Sequence, residues 1–343
     1  MINSGLKLGL CFEDVLLEPQ YSDIHSRSEI ELENTLKIDN IDVPFKLPIV
    51  SAPMDTVTEN GMAKALAQKH GLGIIHRYNT IDEQCDLIKQ SYPYGVVGAA
   101  IGVTDDYYER AVALVEAGAE VLCLDVAHGH HVMVKEALEK LKRDLQSVHF
   151  MAGNIATLEA FNDLSDWGAD SVRCGIGGGS ICTTRVQTGH GKPTLQTVMD
   201  CARSDRSAKL VADGGIRTSG DIVKALALGA DFVMLGSLLA GTDEAPGETI
   251  NQKGLKFKVY RGMASKEAQF DWRGRTSSLE GVASVIPHKG SVSNVLDDLE
   301  KGIRSGLSYS GARTLDEFRA KSIITVQTAA GQTESSAHIG VVK

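Results

Sequence analysis

Eight short apolar runs alternating with helix-period segments predict a (β/α)8 TIM barrel, a single domain built from the 343 residues of this chain. Two further observations carry that reading. Helix-to-strand junctions recur as Ala117-Gly-Ala-Glu120, Trp167-Gly-Ala-Asp170 and Leu228-Gly-Ala-Asp231, each reading as a C-cap glycine followed at once by a strand. Polar residues also gather where the apolar runs end, which is where barrels place function. The alternative, an open doubly wound sheet, would call for Gly-x-Gly-x-x-Gly after an early strand, and none occurs.

In chain order the predicted strands are Leu47–Ser51, Leu72–His76, Gly95–Ala100 and Val121–Asp125, then His149–Gly153, Ser171–Gly175, Leu210–Asp213 and Phe232–Gly236. Helical periodicity falls between most of them, over Asn60–Lys69, Asp105–Glu116, Met133–Leu145 and Ser219–Leu228. From Ala264 to Ile286 the chain turns polar and glycine-containing, which predicts a mobile flap, with order resuming at His288.

A net charge of −9 gives no electrostatic case for binding nucleic acid or an acidic membrane surface. The N-terminus lacks the pattern of a signal peptide, and no apolar run reaches membrane-spanning length. Six scattered cysteines without a Cys-x-x-Cys pair argue against disulfides and a zinc knuckle, and for a reducing cytoplasm.

Chemistry concentrates in Arg173 to Pro193. Gly175, Gly177, Gly178 and Gly179 free the backbone to turn several N–H groups toward one anion, and Ser180 adds a hydroxyl. Cys182 follows, flanked by Thr183, Thr184 and Arg185. Nearby cations and oriented N–H groups favour the thiolate, so the loop suggests a phosphorylated substrate attacked by sulfur; an inert cysteine in a glycine-rich turn is the bland reading. Glycine pairs at the ends of the seventh and eighth runs, Asp213-Gly-Gly215 and Gly236-Ser237, suit phosphate binding or simply tight turns. The histidines of Asp125-Val-Ala-His-Gly-His130 lack a carboxylate at supporting spacing and do not read as a metal site.

Gly175-Ile-Gly-Gly-Gly-Ser-Ile-Cys-Thr-Thr-Arg185 closely resembles the active-site loop of the IMP dehydrogenase/GMP reductase family, departing at Gly178, where the family often has proline. The resemblance runs across nearly the whole chain. It implies a Cys182 covalent intermediate on C2 of a purine monophosphate, GMP or IMP. It further implies a substrate grip from Ser51, Met54, Ser180, Gly215, Gly236, Ser237, Tyr260, Gly262 and Met263, with Asp213 on the ribose hydroxyls. Asp125, Ala127, His128, Asn154 and Arg173 would meet the nicotinamide of NADP(H) or NAD(H). A monovalent cation, potassium, would sit on the carbonyls of Gly177, Gly179 and Cys182, and the tail Ala330–His338 resembles a dehydrogenase-type terminus that helps hold such a cation across a subunit contact. A homotetramer is implied as well. Many IMP dehydrogenases insert paired CBS regulatory modules after the second barrel helix; here Gln84–Tyr94 runs directly into the third strand.

Within that family the reaction direction turns on how water is handled. Dehydrogenases activate it with an Arg-Tyr pair on the flap, and none lies between Ala264 and Ile286. Thr183–Pro193 resembles the reductase form, in which Thr184 and Glu280 would protonate the departing amine. Asp55–Glu59, Tyr260–Met263 and the Glu334-Ser335 tail look dehydrogenase-like. The balance favours GMP reductase, with IMP dehydrogenase as the alternative and a non-catalytic nucleotide-binding relative or another phosphate-binding barrel more remote.

Overall fold

The computed structural model describes residues 6–276 and 279–335. Eight parallel strands close into a barrel: β1 (Ile49–Ser51), β2 (Leu72–Ile75), β3 (Val97–Ile101), β4 (Val121–Asp125), β5 (His149–Ile155), β6 (Ser171–Cys174), β7 (Lys209–Asp213) and β8 (Phe232–Leu235). They follow one another around the barrel in chain order, and Val233 of β8 pairs with Ile49 of β1 to seal it. Each predicted run is a strand, because residues covered on both faces read as unbroken apolar stretches.

The surrounding helices are α1 (Asn60–Gln68), α2 (Ile81–Ser91), α3 (Tyr107–Glu116), α4 (Val132–Asp144), α5 (Leu158–Asp166), α6 (Thr194–Cys201), α7 (Ser219–Ala227) and α8 (Val292–Tyr309). Their apolar stripes, including Met62, Leu66, Leu114, Leu141, Phe161 and Leu226, pack on the outer strand faces. A second cluster fills the barrel, joining Val50, Ile74, Cys123, Met151 and Met234 to Leu36, Ile38 and Phe45. Those last three belong to a hairpin, Asn34–Ile38 with Ile41–Phe45, that plugs the end away from the strand C-termini. Phe45 meets Phe232 edge-on at 5.8 Å, and His149 at the start of β5 contacts the Lys37 carbonyl at 3.0 Å.

The repeated Gly-Ala junction has a definite geometry. Gly118 N–H donates to Val115 O and Ala119 N–H to Leu114 O, and the same two bonds recur at Gly168-Ala169 and Gly229-Ala230. This is the Schellman motif, and all three glycines have positive φ, from 108° to 113°. The structure adds a fourth copy without glycine at the turn: His70, at φ 55°, donates to Ala67 O, and Gly71 to Leu66 O. Hence β2, β4, β6 and β8 are all entered through one tight joint. The odd strands are entered differently, β3 by way of a single turn, Tyr92–Tyr94. A further copy at Gly311 closes α8, where the chain leaves the barrel.

The polar segment 264–286 carries regular structure at both ends. Ser265 caps a helix, Lys266–Arg273, by accepting the Ala268 N–H, and Gly274 at φ 66° ends it. Ala283–Pro287 is a strand against Leu255–Arg261, so order resumes five residues before His288. The helix escaped the sequence reading because only Ala268 and Gln269 are buried on it. At the other end of the chain, Ile324–Val326 pairs with Val15–Leu17, and helix Ala329–Glu334 docks through Gln332 on Asp14 at 2.9 Å. Ser336, Ala337 and His338 of the predicted cation-binding tail, like Ser277 and Ser278 of the flap, lie outside the described residues.

Candidate active site

Strand C-terminal ends and their loops surround a cleft of about 1290 Å³. Cys182 lines it, with its Sγ donating to Thr184 Oγ1 at 3.1 Å. The nucleophile loop does not stand alone. Cys182 makes an antiparallel bridge with Gly281, Thr183 N–H donates to Glu280 O at 2.9 Å, and Val282 N–H donates to Ile181 O at 3.0 Å. Those bonds place Cys182, Thr184 and Glu280 on one wall of the cleft.

The glycines answer to close approach. Gly175 has φ 151°, and a Cβ there would stand 1.9 Å from the Asp213 carbonyl. A Cβ on Gly178 would meet Thr194 Oγ1 at 2.5 Å, which fits glycine at the position where this loop departs from the family pattern. Arg185 tightens the loop from outside by donating to the carbonyls of Lys192 at 2.6 Å and Ile176 at 3.4 Å.

Polar side chains from four strand ends form one network. Arg173, buried at 6% exposure, bonds Asp125 at 2.6 Å and Asp213 at 3.0 Å. Burial opposes its charge, but the Cys123 thiol and the two carboxylates outweigh that and raise its pKa. Asn154 donates to Asp213 at 2.7 Å and to the Gly175 carbonyl at 2.8 Å, leaving its buried Oδ1 without a hydrogen-bond partner. The residues expected for ribose and for nicotinamide are therefore hydrogen-bonded to each other. Tyr260 is nearly buried, with burial raising its pKa and a hydrogen bond to Ser180 opposing this.

Met54, Gly215, Gly236, Ser237, Gly262, Met263 and Ala127 also line the cleft, as do Gly177 and Gly179. Ser51 and His128 do not. Ser51 is fully buried behind the wall, its hydroxyl accepting from Thr58 at 2.8 Å, because successive β1 side chains alternate between faces. His128 is exposed; the partial covering of its ring and the neighbouring His130, His131 and His190 lower its pKa. Cys123 and Cys174 are buried, and burial raises their pKa values, that of Cys123 to about 11. Among the described residues no group of three or more His, Cys, Asp or Glu could hold a metal ion.

Sequence reasoning missed the far arm of the cleft. Tyr78 stacks on Trp272 at 4.2 Å, Arg77 lies over both rings, and Tyr78 Oη donates to the Met263 carbonyl at 2.7 Å. The available signal was position: Arg77 and Tyr78 directly follow the run that ends at His76.

Residues 9–338 match the IMP dehydrogenase / GMP reductase domain. The chain belongs to this family. An IMP dehydrogenase of Nitrosopumilus maritimus is 34% identical, covering 97% of this chain and 98% of that protein. A GMP reductase of Leishmania major is 32% identical, with 96% of each covered. The structure of a cysteine-to-alanine variant of Trypanosoma brucei GMP reductase, in complex with guanosine 5′-monophosphate, superimposes with a TM-score of 0.93 at 31% identity, covering 98% of this chain and 99% of that one. As a family member the protein is an oxidoreductase of purine metabolism, of the class that uses NAD(P)(H). No helix among the described residues is long and apolar enough to cross a membrane.

Proposed function

We propose that the protein is a GMP reductase, converting GMP to IMP and ammonia through a Cys182 thioimidate. The observation that carries this reading is the pairing of the Cys182 loop with Glu280-Gly281: the sulfur bonds the Thr184 hydroxyl, and Glu280, next to the bridging Gly281, lines the same cleft. Sulfur adds to purine C2, the C2–S bond forms, and the C2–N bond breaks as the amine leaves as ammonia with the thiol's proton. Thr184 and Glu280 carry that proton to the amine. Bound NADPH would supply the hydride. As C2–H forms, the C2–S bond breaks and sulfur departs as thiolate. Asp213 would hold the ribose hydroxyls, and Arg173 would fix Asp213 and Asp125 for the two nucleotides. The unpartnered Asn154 Oδ1 is an acceptor that fits a carboxamide N–H, so these residues suit a nicotinamide group.

IMP dehydrogenase is the second reading, favoured by Arg273, which lines the cleft. Its guanidinium, however, donates to Gln269 at 2.8 Å and lies against Trp272, with no tyrosine beside it in sequence. Potassium on the Gly177, Gly179 and Cys182 carbonyls is part of the proposal, with Gly179 O already accepting the Cys182 N–H at 3.1 Å. So are a cytoplasmic location and a homotetramer, the latter read by light scattering.

Absorbance at 340 nm tests direction, with GMP and NADPH in one cuvette and IMP and NAD in the other, each with potassium. Loss of signal in the first alone is expected; gain in the second alone would overturn the reductase reading. Cys182→Ala should abolish turnover and keep GMP binding, while Glu280→Gln should slow ammonia release ~100-fold or more with little change in GMP affinity.

A further inference from the structure

The residues expected to hold the 5′-phosphate, Ser180, Gly215, Gly236, Ser237 and Tyr260, are all uncharged. A phosphate monoester carries between one and two negative charges at neutral pH. Arginines lining the cleft have other partners: Arg173 bonds Asp125 and Asp213, Arg110 bonds Asp106 at 2.8 Å, and Arg273 donates to Gln269 and lies over Trp272. Arg77 lies 3.8 Å from Asp125. The turn after β8 folds back on itself, with Leu239 and Ala240 N–H donating to the Gly236 carbonyl. The next two carbonyls of that turn, Ser237 and Leu238, accept from Lys289 Nζ at 2.5 and 3.0 Å. Both partners are neutral carbonyls, so no carboxylate offsets the ammonium in these two bonds.

We propose that Lys289 is a positioning residue for the substrate 5′-phosphate: it clamps the Gly236–Ser237 turn by its carbonyls and supplies the positive charge the phosphate grip lacks. The inference rests on the purine monophosphate reading. Lys289 is also fastened in place. Its N–H donates to Gly241 O, Asp243 N–H donates to Gly290 O, and His288 bonds Asp243 at 2.7 Å. Upstream of this anchor, strand Ala283–Pro287 leads back to Gly281 and its bridge with Cys182. One strap thus connects the phosphate turn to the catalytic wall.

The test is the affinity of Lys289→Met, Lys289→Gln and Lys289→Arg for GMP and for guanosine, by calorimetry or competition. Methionine and glutamine should each weaken GMP roughly 10- to 100-fold and leave guanosine within about twofold, and arginine should restore most of the difference. Glutamine retains a donor for the carbonyls, so it tests the charge even if methionine fails to fold. Unchanged GMP affinity, or equal weakening of GMP and guanosine, overturns the proposal while the functional reading stands. Wild-type protein that binds neither GMP nor IMP overturns both.

Discussion

Gly175 sets how near the nucleophile loop comes to the Asp213 strand end. With φ at 151° and the Asp213 carbonyl 1.9 Å from where a Cβ would be, Gly175→Ala must displace one strand end from the other. A loss of ~2–4 kcal/mol in urea unfolding is expected, with activity falling further than stability. Residues of this kind were legible, because Gly175 to Arg185 is one continuous motif in which glycine, serine and cysteine each have a chemical reason. Tyr78 and Trp272 were not. Their stack joins positions far apart in sequence, and a single chain carries no sign of such pairing until the fold brings them together. The place of Ser51 behind the cleft wall was not legible either, since three residues of strand fix a side chain's face only once the register is known.

Among the elements, β5 carries a built-in pH response. His149 is fully buried between the Lys37 carbonyl and Ser171 Oγ, and burial lowers its pKa to about 4 from an ordinary 6.5. Between those values the unfolded chain holds a proton that the folded chain refuses, so stability falls as pH drops from about 6.5 toward about 4. The loss from this group is at most about 3 kcal/mol. Chemical denaturation at pH 7 and pH 4.5 measures it, and His149→Gln should flatten the difference; an unchanged slope would refute it. The hairpin that His149 meets has a turn with a local cause, since Asp39 and Asn40 both take positive φ, as a type I′ turn requires, but its docking into the barrel end has none. Helix Lys266–Arg273 was hard to read: an exposed, polar helix resembles a loop by composition, and only its Ser265 cap and Gly274 stop mark it.

Over the whole molecule, Arg173 ties two binding functions together. Arg173→Leu would leave Asp125 and Asp213 without their shared counter-charge, at a cost of ~3–5 kcal/mol. KM for the purine nucleotide and for the dinucleotide should rise together; a rise in one alone would show that the two aspartates act independently. The barrel itself was the most legible level, because eight doubly covered strands leave eight apolar runs that need no knowledge of distant contacts. What surrounds the barrel, the plug hairpin, the Leu255–Arg261 sheet and the docked tail, depends on long-range pairing and was invisible for that reason.

The alternation of joints around the barrel divides the chain into four quarter-barrels, each a strand, a helix, a tight Schellman corner and a second strand with its helix. Inside a quarter, two hydrogen bonds and a left-handed residue leave no slack, so an inserted residue there would unseat a strand. Between quarters the chain passes through looser joins at Tyr92–Val96, Leu145–Val148 and Ala202–Ala208. A domain inserted at the first of these seams, after α2, would leave all four Schellman corners intact, whereas one inserted at a corner would not.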